Sequence, residues 1–344
     1  MAHEPFGPLL PPRFLGDLLR LEDPAQRQFA QRLAPALEKI DPALAPRALV
    51  HPHQEEIAQG SASFPTLLEA LRSAPDDVAR VAALDALDRI LMRAPASREL
   101  VDALEKLLGQ AQSTEVATTC ARALARTGDE GFLRQQVAFL GSESLVEVRL
   151  AARLLGIGRY RPALPVLLSL LRPDRAAALD AVVEALGELG DEGALPALHA
   201  MLERFVQPLA VIAALGKIGA RASVLRLLPV VVEGPEDARR AAAEALARVA
   251  AATGGTLGDP ALQRTVKETL TKVVDRDPNL AVRFFALLAA ARLGARFEPN
   301  HLLAALGGGL ADEEVKALGA LLPRATPGPG KPPPPSKPKR GRGV

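Results

Sequence analysis

The feature that most constrains this chain is an internal repeat. Gly128-Asp129-Glu130-Gly131 returns as Gly190-Asp191-Glu192-Gly193, 62 residues further on. Between these copies, Ala163-Leu164-Pro165-x-Leu167 returns as Ala194-Leu195-Pro196-x-Leu198, 31 residues on. Two independent markers share one period, and a period of this size means stacked supersecondary units rather than one globular core. Each unit reads as an Ala/Leu-rich helical pattern, a short Gly-containing turn and a second, Leu-rich helical pattern. The clearest copies span residues 148–171, 177–202 and 209–232, with a longer unit over 76–108 and others starting near Glu115, Pro235 and Asn279. Pro75, Pro173, Pro235 and Pro278 fall near first-helix starts, while Gly128, Gly190, Gly219 and Gly294 fall where a first helix ends and positive φ is needed.

The composition fits such a stack. Aromatic residues make up 3% of the 344 and Trp is absent, so Leu, Ala and Val must fill the core. Runs such as Ala241-Ala242-Ala243 and Ala151-Ala152 leave little bulk, letting neighbouring helices approach while Leu246 or Leu155 fills the gap. A helix pair of this kind cannot bury its apolar face alone, so each unit must cover the next. A helical bundle would not repeat at this period, and a long coiled coil would not tolerate 27 Gly and 30 Pro.

Val148-Arg149-Leu150-Ala151-Ala152, Leu186-Gly187-Glu188-Leu189-Gly190 and Ala194-Leu195-Pro196-Ala197-Leu198 together resemble the short HEAT repeat of the bilin-lyase type. The resemblance covers roughly residues 63–322. It implies an all-α, right-handed α-solenoid, an armadillo-type superhelix of about seven helix pairs. Two departures stand out: Leu179 replaces the usual Arg, and Gly254-Gly255-Thr256-Leu257-Gly258-Asp259-Pro260 inserts a loop.

Three regions are expected. Residues 1–62 form an N-terminal helical cap segment, with an amphipathic helix over 25–40; residues 63–322 form the repeat array. Residues 323–344, Pro-rich and basic, cannot build a core and should form a disordered tail. Residues 324–344 hold six basic residues and no acid, so of 42 basic residues 36 remain in residues 1–323 against 40 acidic ones, a net −4 beneath an overall +2. In the tail, Pro335, Pro338 and Arg340 fit a polyproline ligand with a basic anchor, and Lys337, Lys339, Arg340 and Arg342 cluster. Pro335, Pro338, Lys339, Arg340 and Arg342 are the expected tail contacts. The first twenty residues hold Glu4, Asp17 and four prolines instead of an apolar run, so a cytoplasmic protein without a membrane span is expected.

Chemistry-bearing motifs are sparse. His51-Pro52-His53-Gln54-Glu55-Glu56 has metal-ligand types without the spacing of a zinc site. Hydroxylases of deoxyhypusine on similar repeats present His-Glu pairs, and here the sole pair is His3-Glu4. Cys120 sits in an Ala-rich first helix as a small buried thiol. Gly307-Gly308-Gly309 follows a helical pattern and reads as a helix end. No catalytic, cofactor or metal site is expected. With one Tyr and no Trp, the repeats lack stacking platforms for bases, which leaves the tail as the segment able to contact nucleic acid. Recurrent Arg149, Arg239, Arg240 and Arg283 are expected to pair with acids of neighbouring turns.

The resemblance places second helices on the concave side, where Arg134, Ser169, Arg172, Glu203, Arg226 and Glu233 form a mixed-charge face suited to a protein partner. The leading expectation is a non-catalytic scaffold or adaptor, not an enzyme, that binds a protein of unknown identity through this face. The alternative is a bilin-lyase-like enzyme or enzyme accessory acting on a prosthetic group or protein side chain. A second alternative is weak nucleic-acid binding through the tail.

Overall fold

The computed structural model describes residues 52–172, 178–295 and 297. The tail with its five expected contacts, the 25–40 segment, His51, Pro173 and Gly307-Gly308-Gly309 lie outside these residues. The fold is an all-α solenoid, and no strand occurs among the described residues. After a short α1 (Gln54–Gln59) and α2 (Phe64–Ser73), first helices alternate with second helices. The first helices are α3 (Asp77–Leu91), α5 (Thr114–Thr127), α7 (Leu145–Ile157), α9 (Leu179–Leu189), α11 (Pro208–Ile218), α13 (Glu236–Ala252) and α15 (Leu280–Arg292). The second helices are α4 (Arg98–Gln110), α6 (Glu130–Phe139), α8 (Leu164–Ser169), α10 (Leu195–Glu203), α12 (Val224–Glu233) and α14 (Pro260–Arg276).

Local chemistry sets these boundaries. Asp76, Ser97, Asp129 and Asn279 each cap a helix start by accepting a backbone N–H in its first turn, at 2.8 to 3.2 Å. Gly128, Gly190 and Gly219 close α5, α9 and α11 in the left-handed conformation, as the repeat pattern predicts. Pro165 and Pro196 enter the first turns of α8 and α10, where a missing N–H costs little.

Packing follows the small residues. Successive first helices nest almost backbone to backbone: a Cβ on Gly156 would lie 2.8 Å from Ala185 Cα, one on Gly187 2.7 Å from Ala214 Cα, and one on Gly216 2.8 Å from Ala245 Cα. Leu155, Leu186, Leu215 and Leu246, beside these positions, are buried and supply the apolar bulk. Second helices touch one another far less, so the row is tightest along its first helices.

The recurrent arginines tie repeats together. Arg149 reaches Asp180 at 2.7 Å and Arg153 reaches Glu184 at 3.3 Å, each exactly one period ahead, while Arg239 grips Asp277 at 2.8 Å. Arg283 turns instead to the backbone carbonyl of Asp277. Arg122 and Arg126 both hold the buried Asp88, each at 3.0 Å. The inserted loop is bound into the array: Leu257 is buried, Gln263 donates to the Gly255 and Leu293 carbonyls, and Arg221 donates to Thr256 O.

Candidate functional site

The seam between first helices has a fixed register. Ala185 and Gly187 of α9 match Ala214 and Gly216 of α11, then Ala245 and Ala247 of α13. In α5 and α7 the same register gives Ala125 at the Gly position and Leu154 at the Ala position. Leu154 is fully buried, and its four-carbon side chain stands where the next junctions have a methyl group. The α5 and α7 helices come close at their C-terminal ends, where a Cβ on Gly158 would lie 2.9 Å from Ala125 O, but elsewhere they pack less closely than α7, α9, α11 and α13 do.

The gap is an apolar cleft of about 410 Å³. Ala117 and Ala121 line it from α5, Ala151 and Leu154 from α7, and Phe132 and Phe139 from α6. Its size falls among small-molecule sites, and its lining is apolar with few polar groups, as such sites are. Thr118 donates to Thr114 O at 2.7 Å, the buried Gln136 donates to Phe132 O at 3.4 Å, and Glu147 accepts from Ser142 at 2.5 Å. Phe139 is 46% exposed on the rim, and α7 opens with exposed Leu145 and Val146. This arrangement can seat an apolar ring or side chain and offer an amide and a carboxylate to its polar end.

A second depression, of about 270 Å³, runs over α11. That helix carries one charge, Lys217, and shows Ala213 where α9 and α13 carry Glu184 and Glu244. The result is an alanine trough between charged ridges. Lys217 pairs with Glu188 at 2.7 Å. Arg248, on the far ridge, directs Nε and Nη2 to Glu244 of its own helix.

The six expected contact residues of the second helices are spread along the row. Arg226 and Glu203 are brought together as an ion pair between α12 and α10. Arg134 is held at 2.6 Å by Glu130 of its own helix, and its pKa is raised first by that hydrogen bond and then by one to Tyr160. Ser169 donates to Val166 O, while Arg172 and Glu233 are exposed. The two depressions are built instead mainly from first helices, and the signal for them was the departure of Leu154 and Ala213 from the repeat pattern.

Cys120 is buried, donates to Leu104 O at 3.2 Å, and its pKa is pushed up to about 12 by burial, which keeps the thiol protonated. His53 lies 3.5 Å from Glu56, and no His/Cys/Asp/Glu group of metal-site size occurs among the described residues. His199 sits 3.2 Å from Ser223, with its pKa lowered by burial first and by Arg226 second, against a raising effect from Glu203. No described helix is long and apolar enough to cross a membrane.

No protein-family model and no curated protein matches the chain. Among solved structures, the complex of CpcE and CpcF of phycocyanin lyase from Nostoc sp. PCC7120 matches 72% of this chain and 94% of that one, at 20% identity and a TM-score of 0.43. That neighbour is a two-component lyase, so the expectation that a chain with these repeats is not an enzyme is corrected. At this TM-score the likeness assigns no reaction to the present chain.

Proposed function

We propose that this chain is a protein-binding helical-repeat subunit of bilin-lyase-like kind, acting as enzyme or enzyme accessory on a prosthetic group or protein side chain. The cleft between α5 and α7 carries the reading. A scaffold that only bridged proteins would need no departure from the closed seam, whereas an apolar cavity lined by the buried Leu154 lies open in an otherwise tightly nested row. The repeat pattern of Val148-Arg149 and Ala194-Leu195-Pro196 supports the same group. The exposed apolar residues beside the cleft, Phe139, Leu145 and Val146, extend its surface toward a protein that presents or receives the bound group.

The direct test is titration of the purified protein with an open-chain tetrapyrrole, followed by visible absorbance. Saturable binding is expected for wild type, with a loss of about tenfold or more in Ala117→Phe, which fills the cleft from α5. Absent binding, or binding that Ala117→Phe leaves unchanged, overturns the reading.

A further inference from the structure

The cleft between α5 and α7 offers its guest acceptors and no cation. Gln136 lines it, is 9% exposed, and donates through its amide nitrogen to Phe132 O at 3.4 Å. A backbone carbonyl can only accept, so this bond fixes the orientation of the amide. Gln136 Oε1 is then left without a partner among the described residues. The oxygen is not sealed in the core but keeps accessible surface, and the open space beside Gln136 is the cleft. A nearly buried carbonyl without a donor is costly, and a donor brought by a guest relieves that cost.

Glu147 is the charged residue of the lining among the described residues. It stands exposed in the first turn of α7, accepts from Ser142 at 2.5 Å, and forms no ion pair among the described residues. Thr118 spends its hydroxyl hydrogen on Thr114 O at 2.7 Å, so its oxygen is left to accept. No Lys, Arg or His lines the cleft among the described residues. The helix starts beside it add no anion site. Ser113 and Ser144 cap α5 and α7, and Glu115 and Glu147 stand in their first turns, which meets the partial positive charge of the helix ends within the chain.

Resting on the reading of this cleft as a ligand site, we propose that it selects an apolar amine. The ring or branched chain seats among Ala117, Ala121, Phe132 and Leu154, and the protonated nitrogen turns to the acceptors, Gln136 Oε1 and the Glu147 carboxylate. A charge-assisted bond to an ammonium is stronger than a neutral one. A carboxylate in the same place finds no cation and faces Glu147, so an acid of the same shape is rejected. A prosthetic group with both kinds of end enters nitrogen first and leaves its acids in solvent.

The experiment compares naphthylmethylamine, naphthylmethanol and naphthoate, alike in shape and different in charge at neutral pH, by equilibrium dialysis against the full-length protein. Wild type should bind the amine roughly tenfold more tightly than the alcohol, and the acid most weakly. Glu147→Gln, an exposed substitution, should bring the amine to the level of the alcohol. Gln136→Leu should weaken amine and alcohol alike by about fivefold. Glu143→Gln, an exposed acid of the same turn outside the cleft, should leave the preference intact, which separates the site from the general acidity of the array. Ala117→Phe should abolish binding of the amine and the alcohol. Absent binding, equal affinity for amine and acid, an amine preference that persists in Glu147→Gln, or amine binding untouched by Ala117→Phe overturns the proposal. Tetrapyrrole binding without an amine preference overturns this proposal alone. An amine preference without tetrapyrrole binding supports it and overturns the prosthetic-group reading.

Discussion

The junction between α5 and α7 and the junction between α9 and α11 are built on one register and end differently. In the second, Gly187 lies against Ala214 so closely that no Cβ fits between them. In the first, Ala125 and Leu154 occupy the same two positions and a cleft of about 410 Å³ remains. The difference teaches that in a stack of alanine-rich helices the spacing is set by one or two side chains per junction. A closed seam and a binding cavity are thus a few carbon atoms apart. Stability concentrates where the seam is closed, and room for another molecule appears where it is not.

The comparison breaks most easily at the closed seam. Gly187→Val places branched carbons against the Ala214 backbone, 2.7 Å from where its Cβ must go, and rigid helices on both sides leave no flexible atom to yield. A loss of about 3 kcal/mol is expected from overpacking, read as a fall in the denaturant midpoint. An unchanged midpoint would show that the row can slide apart, and that closeness does not measure stability here. Ala117→Val, facing the open cleft, should shift the midpoint by no more than about 0.5 kcal/mol.

Next in size is Leu154→Ala, which restores the small residue of the closed junctions. Deleting a buried Leu costs about 2–5 kcal/mol depending on how far the site collapses. If Leu154 is what holds α5 and α7 apart, the helices close up and the cost falls near the lower end, about 2 kcal/mol, with loss of apolar dye binding at the cleft. A cost near the upper end with dye binding retained would mean that the gap is held by α6 and the rest of the unit instead.

Much of this was legible from residues alone. The period, the glycine stops at Gly128, Gly190 and Gly219, and the pairing of Arg149 and Arg239 with acids of neighbouring turns follow from local pattern, because each depends on contacts one unit away. The position of the depressions is not legible in the same way. Leu154-Leu155-Gly156 beside Ala185-Leu186-Gly187 carried the cleft, and the solitary charge of α11 carried the trough, yet in sequence both look like ordinary degeneracy of a repeat. The free carbonyl of Gln136 is beyond sequence reach, since it depends on which backbone carbonyl takes its amide nitrogen. The face expected from the second helices rests on their placement and on a mixture of charges, which marks solvated ridges and binding faces alike.

The smallest expected effect concerns how the two junctions are bridged by their second helices. Beside the closed seam, His199 of α10 meets Ser223 at the start of α12 and Glu203 meets Arg226, so bonds cross between units. Beside the open cleft, Arg134 bonds first to Glu130 of its own helix and second to Tyr160 after α7. Burial, and then Arg226, lower the pKa of His199, so the folded protein holds a neutral imidazole where the unfolded chain takes up a proton near pH 6.5. Stability from this group is therefore complete above about pH 6.5 and is lost as pH falls through the lower, folded-state pKa. Because the ring is only partly buried, screening by solvent keeps the expected loss below about 1 kcal/mol. Melting temperatures across that window should decline less steeply in His199→Gln than in wild type, whereas Arg134→Met should leave the slope unchanged. A slope identical in His199→Gln and wild type would mean that the bridge over the closed seam carries no proton linkage, and that the seam itself supplies all of the coupling between those units.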